Sequence, residues 1–311
     1  MLNNKKFLIG FLLYCIFNHA QAEVLVILPE SEPMARAGLS IKQGFMSAYQ
    51  ASDSKTPIKF VNSDKKKISL LLKQNINKKT QMVVGPLARQ DVEAVIKVQP
   101  KVRVLALNEV SSQFANVSQF SLSKQDDAVA LNQVLQDDKI KELYVLQQKD
   151  SDIDNELFLI SLLTQTDYPL NLIEEAPKKL NKHTGLLLLG NNAWLNQLTK
   201  LPHKNIYILP NAIEQDQILP VGGKFCDAPA LYGSEWPDVT QATQPNTVSM
   251  AYQRLIAFGG DAWHIASQYL AEPNLKSMQF QGRTGLVQIS HNQIRRIPHC
   301  FENTKKGIRV L

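Results

Sequence analysis

Val24-Leu25-Val26-Ile27-Leu28-Pro29 is an unbroken apolar run closed by a proline, the pattern of a strand buried on both faces of a parallel sheet. Directly after it Met34, Ala37, Ile41, Phe45, Ala48 and Tyr49 recur at helical spacing, with Lys42 and Gln43 between them. The alternation continues. A strand is predicted at Ile58 to Val61, a basic helix from near Lys65, and a third strand at Met82-Val83-Val84 ending on Gly85-Pro86. A helix over Arg89 to Val98 places Val92, Val95 and Ile96 on one face, and Val102 to Leu107 makes a fourth strand. Strands alternating with helices over short connections imply a parallel sheet with right-handed crossovers.

A second series of the same plan starts beyond Phe120. Ala128, Leu131, Val134 and Leu135 form one helical stripe, and Ile153, Leu157, Ile160 and Leu163 another. Leu143 to Leu146, Leu186 to Leu189 and Asn205 to Leu209 read as strands. From Leu219 to Pro245 the pattern dissolves into glycines and prolines, the composition of a surface segment of turns. A long helix is expected over 247–270, with Tyr252, Leu255, Gly259, Ala262, Ala266 and Tyr269 on one apolar face. The tail turns to strand signals: Gly282 and Gly285 flank a tight turn, followed by Leu286 to Ile289, Gln293 to Ile297 and Ile308 to Leu311. The fold class is α/β, two Rossmann-like lobes with parallel sheets, like a type I periplasmic binding protein. The first lobe is expected at about 23–120 plus 247–280, and the second at about 121–246 plus part of the tail.

The first 22 residues read as an address. Lys5 and Lys6 precede an apolar run from Phe7 to Phe17, and Ala20-Gln21-Ala22 has the small-residue pattern of a cleavage site. The run is too short for an ordinary transmembrane helix, and no later run is long enough either. The expectation is a periplasmic protein beginning near Glu23. Cys15 follows Tyr14 rather than a small residue, so a lipid anchor is not expected. Of 311 residues 44% are apolar, enough for a sizeable core. Removing Lys5 and Lys6 lowers the formal charge of +6 by two, and so mild an excess in an exported chain gives no reason to expect nucleic acid as a partner. Beyond Cys15 only Cys226 and Cys300 remain. In an oxidising compartment the simplest reading is one disulfide, closing a loop of about 75 residues and stabilising by roughly 4–5 kcal/mol at most. Two cysteines and scattered histidines, His299 included, do not have metal-ligand spacing, and no cofactor is called for.

Particular segments sharpen the fold. They are Val26-Ile27-Leu28-Pro29 with Gly38 and Gly44-Phe45, Val83-Val84-Gly85-Pro86-Leu87, Val104-Leu105-Ala106-Leu107-Asn108, Phe120-Ser121-Leu122-Ser123, Gly260-Asp261-Ala262-Trp263, and Phe280 with Gly282-Arg283-Thr284-Gly285-Leu286. In this order they resemble the carboxy-terminal domain of the LppC/LpoA family of penicillin-binding-protein activators over nearly the whole chain beyond residue 22. The resemblance implies a binding-protein fold and a protein partner, a class A penicillin-binding protein, whose peptidoglycan synthesis the family stimulates. Family members are outer-membrane lipoproteins with a helical-repeat amino-terminal domain. This chain is expected to depart from them in lacking that domain and the anchor.

Amino-acid-binding relatives of the fold hold a ligand carboxylate with hydroxyls and backbone N–H groups just after the third strand. Here Pro86, Leu87 and Ala88 stand there, offering backbone donors at a helix start but no side-chain donor. Asp261 reads either as a cleft carboxylate or as a hydrogen-bonded acid tying the long helix to a neighbouring loop. Trp263 reads as packing between core and lobes, or as a binding anchor. Trp236, in the proline-rich segment, is a candidate contact with a partner. Lys65-Lys66-Lys67 reads as a solvated helix start, and Arg295-Arg296 as an edge or ion pair. No Gly-x-Ser-x-Gly elbow, His-Glu-x-x-His helix or phosphate loop occurs. The reading is a non-catalytic accessory protein that modulates a peptidoglycan synthase. The alternative is a substrate-binding protein closing its interlobe cleft on a small molecule.

Overall fold

The computed structural model describes residues 23–31, 33–149, 155–215, 217–243 and 248–311. The expected signal peptide, Cys15, Ile153 and Pro245 lie outside them. The first unit runs β1 (Glu23–Leu28), α1 (Ala35–Ala51), β2 (Ile58–Asn62), α2 (Ile68–Asn75), β3 (Thr80–Val84), α3 (Arg89–Val98), β4 (Arg103–Ala106) and β5 (Val117–Gln119). The second runs α4 (Lys124–Asp137), β6 (Glu142–Gln147), α5 (Glu156–Leu163), β7 (Leu170–Ile173), β8 (Thr184–Leu189), α6 (Asn192–Leu195), β9 (Ile206–Ile208) and β10 (Gly223–Asp227). There follow α7 (Pro237–Thr243), α8 (Met250–Ala271), β11 (Ser277–Gly282), β12 (Gly285–Ser290), β13 (Gln293–Ile297), β14 (His299–Thr304) and β15 (Gly307–Val310).

Two sheets result, ordered β11-β12-β13-β5-β4-β3-β1-β2 and β15-β14-β10-β9-β8-β6-β7. Both are mixed rather than wholly parallel, because the tail adds antiparallel strands to each: β11–β12–β13 to the first, β14–β15 to the second. The first sheet therefore keeps the chain as far as Ile297, beyond the limit near residue 280 expected for its lobe, and Pro298 alone separates it from β14 in the second sheet.

The continuous apolar runs became interior strands because both faces are covered. Val24, Val26 and Leu28 join the core under α1 and α8, while Leu25 and Ile27 join the one under α2 and α3. Helices α1 and α8 approach until backbone meets backbone. A Cβ at Gly44 would lie 1.8 Å from the Ile256 carbonyl oxygen, and one at Gly259 2.1 Å from that of Ile41. Only glycine permits that crossing. From Ile256 to Trp263 every residue of α8 is buried, so the helix has no single apolar face but is enclosed there on all sides.

Three further expectations are corrected. The segment from Leu219 to Pro245 contains β10, inside the second sheet with Phe225, Cys226 and Asp227 buried, and α7, which packs on α1 and α8. In α5 the buried face is Phe158 and Leu162, and the predicted stripe of Leu157, Ile160 and Leu163 faces outward. Six of its eight residues, all but Glu156 and Ser161, are apolar, which leaves spacing no power to select a face. The helix expected near Lys65 begins at Ile68, because the Asn62 side chain accepts from Asp64 N (2.8 Å) and turns 63–65 into a short 3₁₀ segment. Cys226 and Cys300 are bonded and sit opposite one another on β10 and β14. Among the described residues no helix is long and apolar enough to cross a membrane.

Candidate functional site

The carboxyl ends of β3 and β4 open onto a cleft between the two lobes, where ligands of open α/β sheets bind. The β3 turn is shaped by Gly85, at φ +95°, because a Cβ there would fall 2.1 Å from the Ile27 carbonyl oxygen. It is held by Leu107 N donating to Pro86 O (3.0 Å) and Asn108 Nδ2 donating to Leu87 O (2.9 Å). Leu87, Leu107, Leu255 and Phe258 line the cleft from the first lobe, with Phe258 stacked on Phe120; Leu122, Leu157 and Ser161 line it from the second. This cavity holds about 410 Å³ and joins a smaller polar one of about 260 Å³, the two sharing Arg89, Glu109 and Gln125. Ser121 lines the larger cavity, and its buried hydroxyl has no hydrogen-bond partner. Neither cavity is lined by histidine or cysteine. Among the described residues no group of three or more His, Cys, Asp and Glu side chains is placed to hold a metal ion.

The junction behind the cleft is charged and buried. Ser123 caps α4, accepting from Gln125 N, and its hydroxyl donates to Glu109 Oε1 (2.9 Å). Asp126 accepts from Arg296 N (3.2 Å) and lies 3.5 Å from Arg295 Nη1, while Asp127 is paired with Arg296. Burial pushes the Asp126 carboxyl up to about 6, against the Arg296 N–H and the two guanidinium charges and with some help from Glu109. Arg295-Arg296 is thus an ion-paired element, and β13 is an interior strand rather than an edge. On the other side Arg254 of α8 grips Asp227 of β10, whose Oδ2 also accepts from Tyr232 Oη (2.7 Å).

Of the candidate site residues named from sequence (Pro86, Leu87, Ala88, Trp236, Asp261 and Trp263), the structure brings only Leu87 to the cleft wall. Pro86 is buried beneath it, and Ala88 is the N-cap of α3. Asp261 is wholly buried and lines neither cavity. Its carboxylate accepts from Arg283 N (2.7 Å), Thr284 N (2.8 Å) and Thr284 Oγ1 (2.7 Å), tying α8 to the β11–β12 turn. Burial still pushes its carboxyl up, against those bonds and Arg283. Arg283 reaches on to Asp238 of α7 (2.7 Å). Trp263 lies in the first core, edge-on to Phe45 and Tyr49, with Nε1 donating to Ser52 Oγ (3.0 Å). Trp236 is half-buried against the cluster of Ala228, Val239 and Ile256, not presented on an open loop. Arg89, Glu109 and Phe258 were not singled out, and Ser121 entered only within a family segment; no spacing among them could have found the site, because the fold assembles them from four separate segments.

A family described as LppC putative lipoprotein matches residues 12–151. The penicillin-binding protein activator LpoA of Haemophilus ducreyi is 24% identical over 309 residues, covering 89% of this chain and 53% of the relative. The chain thus spans about half the length of that relative. Among solved structures, the LpoA C-domain from Haemophilus influenzae, described as a regulator of PBP1A, superposes with a TM-score of 0.73 at 17% identity, covering 93% of this chain and all of that one. A putative branched-chain amino acid ABC transporter structure from Chromobacterium violaceum gives 0.72 at 20% identity, covering 90% and 99%.

Proposed function

From a chain that belongs to the LppC/LpoA family, we propose a non-catalytic periplasmic accessory protein that binds a class A penicillin-binding protein and modulates its peptidoglycan synthesis. Family membership carries this reading. The cleft chemistry supports it. Just after the third strand, where amino-acid-binding relatives supply hydroxyls, the wall presents Leu87, and Leu107 and Phe258 continue it, while Arg89, Ser121 and Gln125 line the cavity elsewhere. Two ion pairs of the chain itself, Arg254–Asp227 and Arg296–Asp127, tie elements of one lobe to the other. The test is binding of the purified chain to class A penicillin-binding proteins of its host, with glycan polymerisation and cross-linking followed in the same samples. Binding with a changed rate is expected; neither binding nor a rate change with any of them would sink the proposal.

A second reading, a substrate-binding protein, is favoured by one observation, the partnerless Ser121 hydroxyl at a cleft of about 410 Å³. A thermal-shift screen with cell-wall fragments, amino acids and amphiphiles separates the two. A stoichiometric, saturating shift would support this second reading, and a flat screen would remove it.

A further inference from the structure

The second sheet ends on β15, and all four of its residues are exposed. Its register on β14 pairs Phe301 with Val310, Glu302 with Arg309, Asn303 with Ile308 and Thr304 with Gly307. One further bond fixes the phase of the ladder: Leu311 N donates to Cys300 O (2.9 Å). In an antiparallel pair the residues that exchange hydrogen bonds alternate with those that do not. Arg309 and Gly307 therefore bond inward to β14, and the N–H and C=O groups of Ile308 and Val310 point to the open edge.

The same two residues carry the edge's apolar side chains, 43% and 62% exposed. Opposed residues of an antiparallel pair share a face, so Ile308 lies on the face of Asn303. The Asn303 amide donates to the carbonyls of Leu219 (2.8 Å) and Pro220 (3.3 Å), which places beside this edge the loop carrying Ile218 and Val221, 77% and 51% exposed. At the hairpin tip Lys305 and Lys306 are exposed and form no ion pair with the described residues, whereas Arg309 is paired with Glu302. The edge is held in place from behind. Phe301 stacks on Phe225 and packs against Tyr232, and the Cys226–Cys300 bond joins β14 to β10.

We infer that β15 is a docking strand, extended by a segment of a protein partner that has apolar residues at alternate positions and acidic residues facing Lys305 and Lys306. The backbone groups of Ile308 and Val310 call for another strand, since only a polypeptide backbone supplies alternating donors and acceptors at this spacing. The side chains call for apolar partners on one face. The lysines select the sign of the occupant's charge, and they disfavour a second copy of this chain, whose own strand Gly307–Val310 carries no acidic residue to meet them. The inference rests on the reading of the chain as a partner-binding protein and locates where that partner engages.

The test uses the full chain and a purified class A penicillin-binding protein, with affinity and backbone amide exchange measured together. In the free chain the Ile308 and Val310 amides should exchange fast and the Arg309 and Leu311 amides slowly; in the complex all four should be slow. The double change Lys305→Glu with Lys306→Glu, which touches no ladder bond, should weaken binding roughly tenfold or more. Ile308→Pro, which removes an outward N–H, should weaken it similarly. A complex in which the Ile308 and Val310 amides stay fast and the charge reversal changes affinity less than about twofold would overturn the inference and leave the proposed function standing. Protection of those amides by self-association of the chain alone would overturn it in favour of a second copy. Failure of the unaltered chain to bind would remove the proposed function and this inference with it.

Discussion

Arg254 and Asp227 meet through three hydrogen bonds at the junction of the lobes, from Nε at 2.8 and 3.0 Å and from Nη2 at 2.7 Å. The arginine belongs to α8, packed in the first lobe, and the aspartate to β10 of the second sheet. Both side chains are largely buried. Arg254→Met would strand a buried carboxylate, at a cost of about 3–5 kcal/mol. The double variant with Asp227→Leu should recover much of that loss, because no charge is left without a partner. Urea unfolding of both variants checks it. A double variant no more stable than the single one would mean that the site depends on the charges themselves.

The crossing of α1 and α8 makes a sterically simple prediction. Gly44→Ala and Gly259→Ala each place a methyl group against a backbone carbonyl that cannot step aside. Either change should cost about 1–3 kcal/mol or more, as overpacking does, with a lower thermal midpoint. Gly233→Ala is the control, since its new methyl meets only Pro229 O at 3.9 Å.

Asp126 sets a pH dependence whose sign follows from its burial. Its folded-state carboxyl titrates near 6, above the ordinary value of 3.8, so the folded chain takes up this proton before the unfolded chain does. The group's contribution to stability grows as pH falls through 6, levels off below about 4 and is lost as pH rises. Arg295, Arg296 and Glu109 are the charges that face it. Asp126→Asn stays neutral throughout. Relative to the unaltered chain it should gain about 1–3 kcal/mol between pH 4.5 and 7.5, read from thermal midpoints across that range. A constant difference would show that Asp126 titrates normally.

The disulfide spans 74 residues, and joining two strands of one sheet it should contribute about 2–4 kcal/mol, below the chain-entropy ceiling for such a loop. Replacing both cysteines with alanine, compared by denaturant unfolding, measures it directly. An unchanged midpoint would show that the aromatic cluster of Phe225, Phe301 and Tyr232 holds the β10–β14 pair unaided.

Much of the architecture was legible because buried parallel strands announce themselves. Val24 to Leu28 and Leu186 to Leu189 are apolar throughout and form interior strands, paired on both sides, of their sheets. What escaped was written in weaker chemistry. Strand β10 is introduced by Gly222-Gly223, a turn signal, and β14 carries half-buried polar residues such as Glu302 and Asn303 that look like any exposed loop. Helix α5 is so apolar that spacing selected the wrong face. For the site, Leu87 was reachable from its place after the third strand, whereas Asp261 and Trp263 turned inward because α8 is enclosed on every side. Residues such as Glu109 and Ser123 acquire their meaning only when β4 and α4 come together, and that depends on tertiary folding rather than on local pattern.

Pro298, the single residue between β13 and β14, governs how the halves of this molecule can move. With its φ fixed near −65° and a strand anchored on each side, it is a stiff pivot, and it leaves little freedom for one half to slide along the other. The chain also passes between the two sheets at 120–123 and beyond Asp227, so three covalent crossings limit how far one lobe can move against the other. The separation of probes placed at opposite rims of the cleft would measure how much opening those crossings allow.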